Sequence, residues 1–266
     1  MAFTVYAPRN YDEQQDAMWV GMGYDSHLEH IRRRSILPVF DTYLPTRARI
    51  LEAGCGFGAW IHHLNQQGFR AVGVDLNAQL LSGGDRTLVP MCRNDVLKLC
   101  FADGTFDSYL SLGVVEHFPE GPHRPLAEAL RVLKPGGIAL ISTPTTNLFR
   151  NLVNHPVRRV FDLLHRLRGR RLHFAEYRFT RDELVGHIRA AGFEIVDVVP
   201  NDARLDQNRY SIGFYTDWPP LRSSTEKYAL NALGRLVFAT LKAISPSLVV
   251  SGYLVVGRKP AGPAAS

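Results

Sequence analysis

Cysteine is scarce: Cys55, Cys92 and Cys100 are the only three in 266 residues, and no C-x-x-C pair occurs. An odd, unpatterned set argues against a disulfide framework and for free thiols in a reducing compartment, each read as a small buried hydrophobe. Long apolar runs are absent too. None approaches the ~20 residues of a spanning helix, and no charged-then-apolar leader opens the chain. The expectation is a cytoplasmic protein. Broadly distributed positive charge is also missing. The net charge is +6, yet Thr145 to Asp182 alone holds nine arginines against three acids, so the remainder balances to zero. That disfavours a basic nucleic-acid surface and leaves one local basic element to explain. No internal repeat appears. With 45% apolar and 21% charged residues, the chain suits one sizeable core with insertions.

What is present is organised around Arg49 to Trp60. An apolar run carrying Glu52 meets Gly54, Gly56 and Gly58, then a helix-like segment, Ala59 to Gln67. This order reads as strand, tight turn and helix start, where bare backbone lets a nucleotide-like cofactor approach. The turn alone also satisfies a dinucleotide fingerprint, so an NAD-dependent dehydrogenase stays open at this point. Nineteen residues beyond Gly56, Arg70 to Asp75 reads as a second strand ending in an acid suited to ribose hydroxyls. Asn94-Asp95-Val96 follows a short strand-like run, Leu88 to Cys92. Thr105 to Leu112 gives a fourth strand, and Leu133-Lys134-Pro135-Gly136-Gly137 turns into a fifth, Ile138 to Ser142.

With these residues in place the chain resembles the class I S-adenosylmethionine (SAM) dependent methyltransferases, of the ubiquinone/menaquinone-methyltransferase-like type. Glu52-Ala53-Gly54-Cys55-Gly56-Phe57-Gly58 matches the family's E-x-G-x-G-x-G motif, and Asp75, Asn94-Asp95-Val96, Phe106-Asp107 and the Lys134-Pro135-Gly136-Gly137 turn match its later motifs in order. The resemblance implies an α/β, Rossmann-like, seven-stranded and mostly parallel sheet. One antiparallel edge strand (Gly252 to Lys259), helices on both faces and helical cap insertions complete that expectation. It further implies roles: Gly54, Cys55, Gly56 and Gly58 cradle the methionine part of SAM, and Glu52 orders the loop behind them. Asp75 holds ribose, Leu76 and Val96 flank adenine, Asp95 reads its amino group, and Leu112 offers backbone to the methionine amine. Nucleic-acid methylation is disfavoured, because Leu112-Gly113-Val114-Val115 stands where an N/D-P-P-Y/F motif would be. A SAM-binding partner subunit without catalysis stays open as well.

The expected organisation is a helical segment, 1–48, ahead of a domain, 49–259, with insertions at 145–179 and 201–250 and a disordered tail at 260–266. Met1 to Asn10 looks irregular, and Ser26 to Phe40 reads as a helix. Tyr11, Trp19 and Tyr24 either wall the active site as a substrate lid or simply pack that helix. His117 is the candidate general base for a hydroxyl acceptor, since imidazoles titrate near neutral pH. Glu116-His117 also approaches an E-x-x-E-H metal motif, but Gly113 occupies the first glutamate position and no metal is expected. In the first insertion, Val157, Val160, Phe161, Leu164 and Leu167 recur at helical spacing opposite arginines, a basic amphipathic helix over 157–171. A lid near an anionic or lipid-linked acceptor is the favoured reading, against a surface element touching anionic lipid heads or a phosphorylated acceptor, a dimer contact, or a solvated helix packed on the domain. Leu230 to Ile244 marks a further helix, placed in Ser224 to Ile244, that can pair with the first insertion as a cap. The acceptor is expected to be a small or lipid-linked molecule methylated at O or N, with no nucleic-acid partner; the oligomeric state stays open.

Overall fold

The computed structural model describes residues 1–8, 24, 28, 31, 34–81, 89–201, 212–225 and 229–262. Strands form where apolar residues run unbroken. In β2 (Arg49–Ala53) the last four residues are all buried, as a strand covered on both faces requires. It pairs in parallel with β3 (Arg70–Asp75) and β5 (Phe106–Leu112). β4 (Met91–Arg93) and β6 (Leu133–Pro144) extend the parallel set on either side. Beyond β6 come β9 (Gly252–Arg258), antiparallel, and then β8 (Glu194–Pro200), so the order is β4-β3-β2-β5-β6-β9-β8.

The seven-stranded, mostly parallel sheet is as expected, with its one antiparallel strand set a place inward from the rim. The reason lies in the side chains. Leu254, Val255 and Val256 are all fully buried and suit a doubly covered strand, whereas β8 is half-exposed along its length and carries Glu194 and Asp197.

Alternate residues of the central strands feed two cores. Leu51, Tyr109, Ala139 and Val255 meet Leu126 and Ala129 of α4 (His123–Val132) and Ile188 of α6 (Arg181–Ala190). Ile50, Leu110, Leu140 and Leu254 meet Phe40 of α1 (Leu37–Tyr43) and Ile61 and Leu64 of α2 (Ala59–Gln66). Helices therefore cover both faces. α6 starts on the expected capping box: Thr180 Oγ1 accepts from Glu183 N at 3.2 Å, while Glu183 Oε2 accepts from Thr180 N at 3.0 Å. The short α3 (Ala78–Leu81) begins at Asn77, whose Oδ1 accepts from Gln79 N.

Three expectations need correction. Phe3–Pro8 is a strand, β1, antiparallel to β7 (Leu172–Arg178) in a separate two-stranded sheet. Phe3, Val5 and Ala7 are buried in alternation, a period-two signal too short to stand out beside Pro8. The expected helix over Ser26 to Phe40 is not continuous. Arg34 to Ile36 leave the helical path, and α1 starts afresh with Pro38 in its first turn, where a missing N–H costs nothing. Cys55 is buried, but Cys92 and Cys100 are exposed. Among the described residues no helix is long and apolar enough to cross a membrane.

The insertions contain a π-turn, Arg150–Asn154, leading into α5 (His155–Leu167), and later α7 (Ile212–Asp217) and α8 (Ala232–Ile244). α8 starts later than Ser224, at an Asn231 cap whose Oδ1 accepts from Gly234 N at 2.8 Å. Phe214, Phe238 and Leu230 pack with Phe149 of the first insertion, so the two excursions share one small core.

Candidate active site

Parallel strands deliver their carboxyl ends to one rim, and β2 runs there into the glycine loop. Gly54, Gly56 and Gly58 have φ of 77°, 53° and 73°, a left-handed region costly for residues with a Cβ. They differ in what surrounds them. A Cβ on Gly54 would stand 2.3 Å from Val114 Cγ2, and one on Gly58 would stand 2.2 Å from Val89 Cγ1. A Cβ on Gly56 would meet nothing within 4 Å. Gly54 and Gly58 are small because protein packs against them, and Gly56 leaves open backbone that a ligand can approach.

The neighbouring tips close on this loop. Asp75, ending β3, accepts from Gly56 N through Oδ2 at 2.9 Å and from Asn77 N through Oδ1 at 2.8 Å. Asn94 N donates to the Asp75 carbonyl at 3.1 Å, which brings the turn after β4 alongside. In that turn Asp95 is half-buried, and its Oδ1 holds Leu97 N at 2.8 Å. Glu52, behind the loop, is 3% exposed. Burial, and then the charge of Asp75, push its carboxyl well above the usual range, and Oε2 has no partner among the described residues. The loop thus brings together open backbone at Gly56, a carboxylate at its edge and a buried carboxyl behind it.

The other expected cofactor residues separate. Leu76 is exposed and able to cover a ring, whereas Val96 is buried in the sheet core. Leu112 is half-buried at the tip of β5, in register with Ser142. Cys55 turns its side chain inward against Ile61 and the backbone of Gly73, and burial pushes its thiol far up, so only its backbone belongs to the loop. Tyr24 is half-buried, 5.8 Å edge-on to the His62 ring of α2, and packs against the core that holds Phe40. Tyr11 and Trp19 lie outside the described residues.

After β5 the chain turns at Gly113 (φ 82°) into a 3-10 turn, Val115–His117. Val114 rests on Gly54, so this turn and the glycine loop are direct neighbours. His117 is exposed, and its Nδ1 lies 2.9 Å from the carbonyl of Ala175 in β7. That contact assigns the proton to Nδ1 and the ring lone pair to Nε2. Glu116 is 1% exposed with Oε2 unpaired among the described residues. Burial drives its carboxyl up to about 7, against the opposing effect of His117.

Because the folded value exceeds the unfolded one, the stability from a neutral Glu116 is complete below the ordinary carboxylate range and lost as pH rises toward 7. Glu116→Gln is therefore expected to match the parent at about pH 4 and to exceed it by about 3 kcal/mol at about pH 8. Urea titrations at both pH values check this, and equal differences at the two would refute it.

Sequence reasoning missed a buried ion cluster that ties the cap together. Arg150 Nε reaches Asp217 Oδ2 at 2.6 Å, and Arg178 reaches Asp217 Oδ1 and Glu176 Oε1, each at 3.0 Å. Arg150 also donates to the carbonyls of Thr145 and Ser251. Burial works to raise the Asp217 carboxyl, but the two guanidinium groups hold it below the usual range. Only the Glu176-x-Arg178 spacing within β7 was legible beforehand; Asp217 lies 67 residues from Arg150.

A family profile for methyltransferase domains matches residues 24–198. The chain is 32% identical over 110 residues to the 2-methyl-6-phytyl-1,4-hydroquinone methyltransferase of Synechocystis sp., covering 37% of this chain and 33% of that protein. It spans between a third and about half the length of the curated relatives it matches. Among solved structures, a chain of the complex between the Haloferax volcanii Trm112 methyltransferase activator and a methyltransferase superposes with a TM-score of 0.62. That match has 17% identity and covers 96% of this chain and 98% of that one. The 1,6-didemethyltoxoflavin-N1-methyltransferase of Burkholderia thailandensis, bound to its substrate and S-adenosylhomocysteine, gives 0.54 at 19% identity, covering 96% and 92%. At these identities the likeness shows the fold.

Proposed function

The chain belongs to the methyltransferase-domain family, and from that premise we propose that it moves a methyl group from SAM to a small organic acceptor. The carrying observation is the junction of Gly56 with Asp75, an unobstructed glycine whose N–H is held by the acid at the next strand tip. Gly54 to Gly58 would take the amino-acid portion, Asp75 the ribose hydroxyls, and Asp95 and Leu76 the adenine. The cofactor's sulfonium supplies an electrophilic methyl group. The chain's own residues bind it, orient the acceptor and exclude water, and orientation accounts for about 7–11 kcal/mol in well-aligned systems.

The acceptor, free or carried on a lipid, reacts at oxygen or nitrogen, and His117 Nε2 takes the proton from a hydroxyl. A cytoplasmic setting suits this reading, since all three cysteines are free thiols. A dehydrogenase would share the glycine turn but does not share the family.

Calorimetric titration with SAM against NADH, followed by transfer of labelled methyl to a panel of phenols, hydroquinones and amines, tests the proposal. SAM binding without NADH binding, plus label in an extractable product, is expected; the reverse preference would overturn it. Asp75→Ala should weaken SAM about 10- to 100-fold, the value of losing charge-assisted hydrogen bonds. Asp75→Asn should recover part of that affinity. An undiminished Asp75→Ala variant would remove the site from this rim.

A further inference from the structure

A helix on a protein surface ordinarily turns its apolar stripe to the core and its polar side to water. α5 does the reverse. Toward the protein it presents His155, Arg158, Asp162 and His165, spaced as one helical face. His155 is buried and stacked on Phe3 at 3.6 Å, Arg158 donates to the Tyr6 carbonyl at 3.1 Å, and the other two are half-buried. Outward it presents Val157, Val160, Phe161, Leu163, Leu164 and Leu167, every one exposed, Phe161 by 58% and Leu167 by 74%. The π-turn before it adds Leu152 and Val153, and Leu148 just ahead of that turn is exposed too. An apolar surface this continuous marks an interaction site.

The charge around it identifies the occupant. Arg159 and Arg166 lie along the flank, over the rings of Phe3 and Tyr6 at 5.7 and 5.6 Å. Arg168, Arg170 and Arg171 stand exposed just past the helix end. The sole acid between Arg150 and Arg171 is Asp162, on the protein side. A second copy pressed on this face would enclose arginines with no carboxylate to meet them, which is costly. A lid over the chain's own acceptor would point the apolar row inward, where polar residues stand instead.

We propose that the outward face of the π-turn and α5 is a docking surface for an anionic lipid bilayer. The helix lies in the plane of the headgroups, its leucines, valines and Phe161 enter the acyl boundary, and the fringe of arginines meets lipid phosphates. The docked element is joined to the chemistry: α5 rests on β1, β1 pairs with β7, and the Ala175 carbonyl of β7 holds His117. Docking itself does not depend on methyl transfer and is measured without SAM.

The test is co-sedimentation of the full chain with vesicles of phosphatidylcholine alone or mixed with phosphatidylglycerol, with ultracentrifugation of the protein by itself. Binding to the mixed vesicles at least about tenfold tighter than to the neutral ones is expected, weakening with salt. Phe161→Asp with Leu164→Asp should abolish binding to both vesicles. Arg168→Glu, Arg170→Glu and Arg171→Glu together should remove the preference for the anionic ones. Circular dichroism should match the parent in each case. A parent that stays in the supernatant with the mixed vesicles overturns the proposal. So does a dimer that Phe161→Asp with Leu164→Asp dissociates, which would assign the face to a second copy.

Discussion

Asp217→Ala is expected to lower folding stability by about 3–5 kcal/mol, the cost of leaving buried charge without its counter-ion. Arg150, Arg178 and Asp217 are all nearly sealed from water, with side chains 5%, 8% and 5% exposed. Removing the acid leaves two buried guanidinium groups, with Glu176 as the carboxylate still in contact among the described residues. A typical domain has about 5–15 kcal/mol in total, so this single change consumes a large share of it. The loss should also be local. Asp217 ends α7, Arg150 opens the π-turn and Arg178 ends β7, so the cap loses its common anchor and should become protease-sensitive between residues 145 and 180.

Urea denaturation with limited proteolysis measures both effects. Replacing the cluster together, Arg150→Met, Asp217→Leu, Arg178→Met and Glu176→Gln, should recover much of the stability, because neutral groups need no counter-ion. A loss below about 1 kcal/mol in Asp217→Ala would mean the cluster is not as dry as it looks.

What could be read in advance depended on how local the cause was. Gly54, Gly56, Gly58, Asp75 and Asn94-Asp95 were legible because strand tips and tight turns impose residue types over a few positions. The division of labour among the glycines was not legible, since Val114 and Val89 press on Gly54 and Gly58 from far along the chain. That Val96 is buried in the sheet core was not legible either, because a strand tip has two sides and its sequence does not say which is wet. β1 and β7 pair across more than 160 residues, from Phe3 to Arg178, beyond the reach of any window. α5 makes the general point best. Its periodicity gives two faces, but nothing in the period says which one the protein takes. Only the partners on β1, an aromatic ring and a carbonyl, show that the polar face went inward.

His117→Gln is expected to lower turnover on a hydroxyl acceptor about 100- to 10,000-fold, the range for removing a positioned general base. Affinity for SAM should be unchanged, since Val114 is the residue of this turn that packs on Gly54. The argument rests on the Ala175 carbonyl, 2.9 Å from Nδ1. A neutral ring donating there has its lone pair on Nε2, the nitrogen that would take the proton of a phenol or alcohol. The pH profile of the parent's kcat/KM should therefore carry a base-dependent limb that the variant lacks. A purely structural His117 would give a different pattern, with KM and thermal stability shifting while the pH profile kept its shape. Acceptor acidity separates the two further: the deficit of His117→Gln should shrink for phenols already ionised at the assay pH, because they arrive without the proton the base would remove. An equal deficit for ionised and un-ionised acceptors would assign His117 to holding β7 in place rather than to proton transfer.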